Sequence, residues 1–120
     1  MTQFALVFPG QGSQSRGMMN GYADLSVVRD TFAEASEILK QDMWQLVTDG
    51  SDADLNATVN PQPIMLTAGV AVYRAWQSLS APQPAMLAGH SLGEYSALVA
   101  SGALKFPDAL PLVRYRAECM

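Results

Sequence analysis

Ser91 stands at the centre of Gly89-His90-Ser91-Leu92-Gly93, a G-x-S-x-G pentapeptide flanked by an apolar run at 85–88 that reads as strand and a run at 92–101 that reads as helix. That is the context in which the pentapeptide acts as a nucleophile turn. A serine at a sharp strand-to-helix turn holds a strained backbone costing on the order of 1–3 kcal/mol, and Cβ atoms on its neighbours would clash. Gly89 and Gly93 remove those clashes. The turn exposes the Ser91 hydroxyl, and the amide of Leu92, at the positive end of the following helix, points where an oxyanion would form. The competing structural reading is that Ser91 merely caps a helix between two small residues.

A serine nucleophile needs a general base, and the only histidine, His90, is its neighbour in sequence. Adjacent side chains diverge at such a turn. His90 therefore reads as packing or hydrogen-bonding beside the nucleophile, with the base outside these 120 residues. The Gly10-Gln11-Gly12-Ser13-Gln14 loop offers the second oxyanion donor, the backbone amide of Gln11, because a loop after the first strand of such a sheet can face the nucleophile turn. Its alternative is a plain glycine turn. Glycines at 10, 12 and 17 miss the G-x-G-x-x-G spacing, and no Gly-Lys-Ser/Thr follows, so neither phosphate-loop pattern is present.

The elements that must position these groups follow from periodicity. Residues 3–8 suit a buried strand closed by Pro9 and Gly10. Val28, Phe32, Ala35 and Leu39 recur at helical spacing and predict an amphipathic helix over 26–40; Trp44, Leu46 and Val47 predict one further turn. The polar stretch 48–58 reads as a surface connection. The longest helical pattern is 61–79, with Met65, Ala68, Val72, Trp76 and Leu79 on one face and Ile64, Ala71 and Ala75 widening it. A break at Pro82 and Pro84 precedes an interior strand at 85–88, and Gly102 closes the helix after it. Asp108 is a candidate cap for a last helix, which would make Pro111 tolerable in its first turn. Residues 110–120 resemble mid-helix, so either the end frays or this is the front part of something longer. The order of strand, helices, strand and helix is α/β, within one domain.

Composition excludes several classes. The chain has 120 residues, 49% of them hydrophobic, and a net charge of −4. That size supports one core. One cysteine, Cys119, permits no internal disulfide, and with one histidine no structural zinc site of the usual kind can form. Seven scattered basic residues against eleven acidic ones give no field for nucleic acid. No signal peptide fits the first fifteen residues, and the best membrane candidate, 64–73, is about half a span. The expectation is a soluble, cytoplasmic protein. Met65, Met86, Met120 and Trp76 read as core filler and Cys119 as an inert buried thiol, while Met18 and Met19 are assigned to no site.

Phe8-Pro9-Gly10-Gln11-Gly12-Ser13-Gln14, Gly89-His90-Ser91-Leu92-Gly93-Glu94-Tyr95 and Arg116 together resemble the malonyl-CoA:acyl carrier protein transacylases of fatty acid synthesis. The resemblance runs from the first residue to the last, but chains of that family are much longer. It implies the N-terminal part of one acyltransferase catalytic domain with a hydrolase-like core of short parallel strands and flanking helices. It further implies that Ser91 is acylated by malonyl-CoA, that the amides of Gln11 and Leu92 hold the oxyanion, and that the catalytic histidine lies downstream. Arg116 would grip the malonyl carboxylate, which suits a planar guanidinium able to make two parallel hydrogen bonds. Without the family position Arg116 reads as an exposed helix arginine, with Arg114 a competitor on another face and Glu94 or Glu118 as partners for either. The implied partners are malonyl-CoA and acyl carrier protein, with no metal and no permanently bound cofactor. The rival readings are a serine esterase or thioesterase, a polyketide synthase acyltransferase domain, and a non-catalytic carrier-binding module.

Overall fold

A computed structural model of the chain describes residues 3–57 and 59–120. Strand β1 (Ala5–Phe8) leads through a single 3-10 turn into α1 (Ser26–Leu39), α2 (Met43–Asp49), α3 (Asp52–Leu55) and α4 (Pro61–Ser78). Strand β2 (Met86–Gly89) follows, then α5 (Gly93–Ser101) and α6 (Phe106–Cys119). β2 returns parallel to β1 in the register Ala5↔Met86 to Phe8↔Gly89. A parallel pair requires a long crossover, and helices α1 to α4 supply it. The α/β expectation therefore holds.

The four apolar positions that predict α1 are all buried, with Arg29, Asp30 and Glu37 on the water side. The helix stops at Lys40, which takes a left-handed φ of 56° and returns its N–H to the Ser36 carbonyl. Ser36 Oγ in turn accepts from the Met43 amide at 2.9 Å and fixes the start of α2, which Asp42 caps through Gln45 N. α4 forms the centre of the core, packed by α1, α5 and α6 around Phe32, Ile64, Leu66, Leu110 and Val113. Its first turn carries Pro61 and Pro63, positions where a missing N–H leaves no intrahelical bond unmade.

Several expectations need correction. The stretch 48–58 contains α3, capped by Ser51 and anchored by the buried Leu55, so it is more than a connection; Thr58 lies outside the described residues. α6 begins at Phe106 with no side-chain cap, so Asp108 lies inside its first turn and Pro111 inside the helix. Burial of Leu110 and Val113 holds that helix together across the proline. Neither strand is buried on both faces: Val7 is 72% and Met86 65% exposed. The predicted face of α4 is only half covered, because Met65, Ala68, Val72 and Trp76 line an open groove of about 260 Å³ against Leu6, Phe8 and Pro9. Met19 and Met65 are core, whereas Met86 and Met120 are exposed. Cys119 is exposed too, so the expectation of a buried thiol fails: its helical position turns it away from the side that carries Val113 and Ala117.

Candidate active site

Ser91 has φ 55°, a left-handed backbone forced on a residue with a Cβ, at the junction of β2 and α5. The junction is tight. A Cβ on Gly89 would run into the Gly93 carbonyl, and one on Gly93 into the Phe8 carbonyl, so both positions require glycine for close approach. The turn closes through the Gly93 amide donating to His90 O at 2.9 Å, and His90 N donates to Phe8 O at 3.2 Å, which ties it to the end of β1. α5 has no side-chain cap, and Ser91 is exposed, so the simple capping role is absent.

His90 contributes through its backbone. Its ring is exposed and makes no hydrogen bond among the described residues, contrary to the expectation that it packs or bonds beside the serine. The cause is the same bend, which sends successive side chains apart and turns the ring to water. The Gly10–Gln11 corner lies against the turn: a Cβ placed on Gly10 would stand 2.6 Å from His90 O and 3.6 Å from Leu92 N. Neither Gln11 N nor Leu92 N has a hydrogen-bond acceptor among the described residues. The loop is held from behind, since Gln14 Oε1 accepts from Gly12 N and Gln14 Nε2 donates to Asn56 Oδ1 at 2.7 Å. The Leu92 side chain is fully buried and anchors the start of α5.

α6 brings Arg116 to this corner. Its Nη2 donates to Ser91 Oγ at 3.2 Å, and its guanidinium carbon stands 5.6 Å from the centre of the Tyr95 ring. Arg114 points elsewhere, donating to Leu39 O and Gln41 Oε1 as a strut between α6 and the end of α1. Glu94 and Glu118 pair with neither arginine among the described residues. Arg116 is instead met by Gln62, a residue the sequence reading did not single out: Nη1 donates to Gln62 Oε1 at 2.6 Å. A usable signal existed, because Gln62 is the polar residue between Pro61 and Pro63 at the head of the broadly apolar α4. No group of three or more His, Cys, Asp or Glu able to hold a metal occurs among the described residues.

An exposed, strained serine, two unengaged amides beside it and a cation at its hydroxyl are parts suited to acyl transfer through a negatively charged tetrahedral centre. Residues 5–120 match the acyl transferase domain, and the chain belongs to that family. Within it, the chain is 54% identical over its whole length to the malonyl CoA-acyl carrier protein transacylase of Escherichia coli (strain K12), covering 39% of that protein. The crystal structure of an acyl-carrier-protein S-malonyltransferase from Burkholderia pseudomallei 1710b superposes on 99% of this chain with a TM-score of 0.97 and 60% identity, again over 39% of its own length. A malonyl-transacylase solved in complex with a type II PKS acyl-carrier protein superposes with a TM-score of 0.95 at 49% identity, covering 98% of this chain and 38% of that one. The chain thus spans about two-fifths of the relatives it matches, and the resemblance read from its motifs is borne out along its length.

Proposed function

We propose that residues 1–120 form the N-terminal, nucleophile-bearing part of one acyltransferase domain that moves a malonyl group from malonyl-CoA to the phosphopantetheine thiol of acyl carrier protein. The observation that carries this reading is the meeting of Ser91 and Arg116 across 3.2 Å, which puts a carboxylate-binding cation beside the atom that would be acylated. Ser91 Oγ attacks the thioester carbonyl and passes its proton to a base. The carbonyl oxygen becomes an oxyanion received by the amides of Gln11 and Leu92. The C–S bond then breaks, coenzyme A departs as its thiol, and a malonyl-serine ester remains.

The carrier's thiol repeats the attack on that ester and restores the serine. Arg116 binds the free carboxylate in both half-reactions, and left unpaired it would disfavour a neutral acyl chain. Because the Ser91 hydroxyl is met by Arg116 and not by the His90 ring among the described residues, the base is assigned to the part of the protein beyond residue 120, as the family resemblance implies. The chemistry needs no bound cofactor, and transfer outpaces hydrolysis only if water is kept from the ester. No helix among the described residues is long and apolar enough to cross a membrane. A thioester donor and a free thiol acceptor suit a reducing compartment, which supports a cytoplasmic location.

The test uses the full-length protein and intact-mass spectrometry. Mixing with malonyl-CoA should add one malonyl group to the wild type and none to Ser91→Ala. An adduct that persists in the variant would move the nucleophile elsewhere, and rapid release of free malonate without transfer to carrier would favour a thioesterase.

A further inference from the structure

Gln62 is polar, only 1% exposed, and sits in the first turn of α4, two residues past Asn60 and away from water. Burial of an amide is tolerated where its hydrogen bonds are made. Here its oxygen accepts from Arg116 Nη1 at 2.6 Å, while its nitrogen donates to Gln11 Oε1 at 3.3 Å and to Met120 Sδ at 3.1 Å. Arginine has donors and no acceptor, so the Gln62 oxygen must face Arg116. The Gln62 nitrogen is thereby turned to Gln11, which must answer with its own carboxamide oxygen. One buried amide thus sets the orientation of two residues at the candidate site, on α6 and on the loop after β1.

The choice of nitrogen matters. With Gln62 on Nη1, the edge of the guanidinium formed by Nε and Nη2 is left to receive a carboxylate side-on, and Nη2 is the atom already 3.2 Å from Ser91 Oγ. A free arginine side chain carries large rotamer entropy, whereas one pinned at Nη1 and lying against the Tyr95 ring loses little on binding. We propose that Gln62 is a positioning residue for acyl selectivity: it holds Arg116 in the pose that accepts a carboxylated acyl group. This rests on the reading of Arg116 as the carboxylate receiver.

The experiment compares kcat and KM for malonyl-CoA and acetyl-CoA in the full-length enzyme carrying Gln62→Leu, Gln62→Glu or Arg116→Ala. Gln62→Leu, which matches the size but accepts nothing, should lower kcat/KM for malonyl-CoA about ten- to hundredfold, mainly through KM, as expected for one hydrogen bond to a charged group. Acetyl-CoA should change less than about threefold, so the ratio of the two narrows. Gln62→Glu keeps the acceptor but adds a carboxylate that competes for Arg116, and it should raise the malonyl KM at least as much. Should the leucine variant not fold, the glutamate variant carries the test alone. An unchanged malonyl-to-acetyl ratio, or equal loss with both substrates, overturns the proposal. Equal loss in Arg116→Ala would overturn the reading of Arg116 itself, whereas a selective loss there with an unchanged ratio in the Gln62 variants would overturn only the role of Gln62.

Discussion

Arg116 illustrates how much a single side chain depends on its company. Nothing in its immediate sequence distinguishes it from Arg114, yet one guanidinium meets Ser91, Gln62 and Tyr95 while the other braces the end of α1. Arg116 donates to the Ser91 hydroxyl, so on the proposed function an arriving carboxylate would take over a donor already aimed at that oxygen. The glycines beside the serine make a sharper prediction. Gly89→Ala forces a Cβ onto the Gly93 carbonyl and should cost about 3 kcal/mol, read as a lower urea midpoint, together with loss of the malonyl adduct. Gly102→Ala meets nothing within 4 Å but keeps φ at 85°, so it should cost only about 1–2 kcal/mol and leave the adduct intact. Equal effects of the two substitutions would mean that the nucleophile turn is not packed as described.

At the scale of elements, α6 carries the site's cation while tolerating a defect. Pro111 lies inside the helix, where the N–H it lacks would have been offered to the Pro107 carbonyl. Pro111→Ala should restore that bond. The gain is about 3 kcal/mol of helix propensity less up to about 1 kcal/mol for a looser unfolded chain, hence a net stabilisation near 2 kcal/mol in urea unfolding of the full-length protein. A drop in stability would mean that α6 depends on the proline's packing. Arg74 on α4 braces α6 from another side, donating to Thr31 and Glu34 on α1 and lying 5.1 Å from the centre of the Phe106 ring. The ion pair is about one-third exposed on both sides, so it contributes little as a charge pair; its stem and the ring contact align the three helices. These helix ends were only partly legible in the sequence. Apolar spacing exposed α1 and α4, but cap residues mislead by a turn when a helix starts without one, as α6 does at Phe106.

For the whole molecule, the open groove beside β1 and the exposed Val7 and Met86 leave apolar surface on a sheet of two strands. Isolated pairs of strands are marginal in water unless a hydrophobic face is packed. On the proposal that further chain of the same domain covers this side, a polypeptide of residues 1–120 should bind the dye ANS strongly and transfer no malonyl group. The full-length protein should bind little dye and be active. Equal dye binding by both would leave the groove open in the complete protein and remove that part of the proposal.

The sequence alone determined the strand-to-helix turn at Ser91, the glycine corner at 10–11 and the α/β order of elements, because each is encoded by neighbours along the chain: glycine where no Cβ fits, apolar residues at one period, proline where a helix must not continue. It also carried the family resemblance, since the motif residues stand at readable positions. The pairing of Arg116 with Gln62, the outward His90 ring and the exposed Cys119 were decided only by tertiary structure. Those facts depend on which faces of α4, α5 and α6 meet, and a buried amide finds its partner 54 residues away only after packing has excluded the water that would otherwise satisfy it.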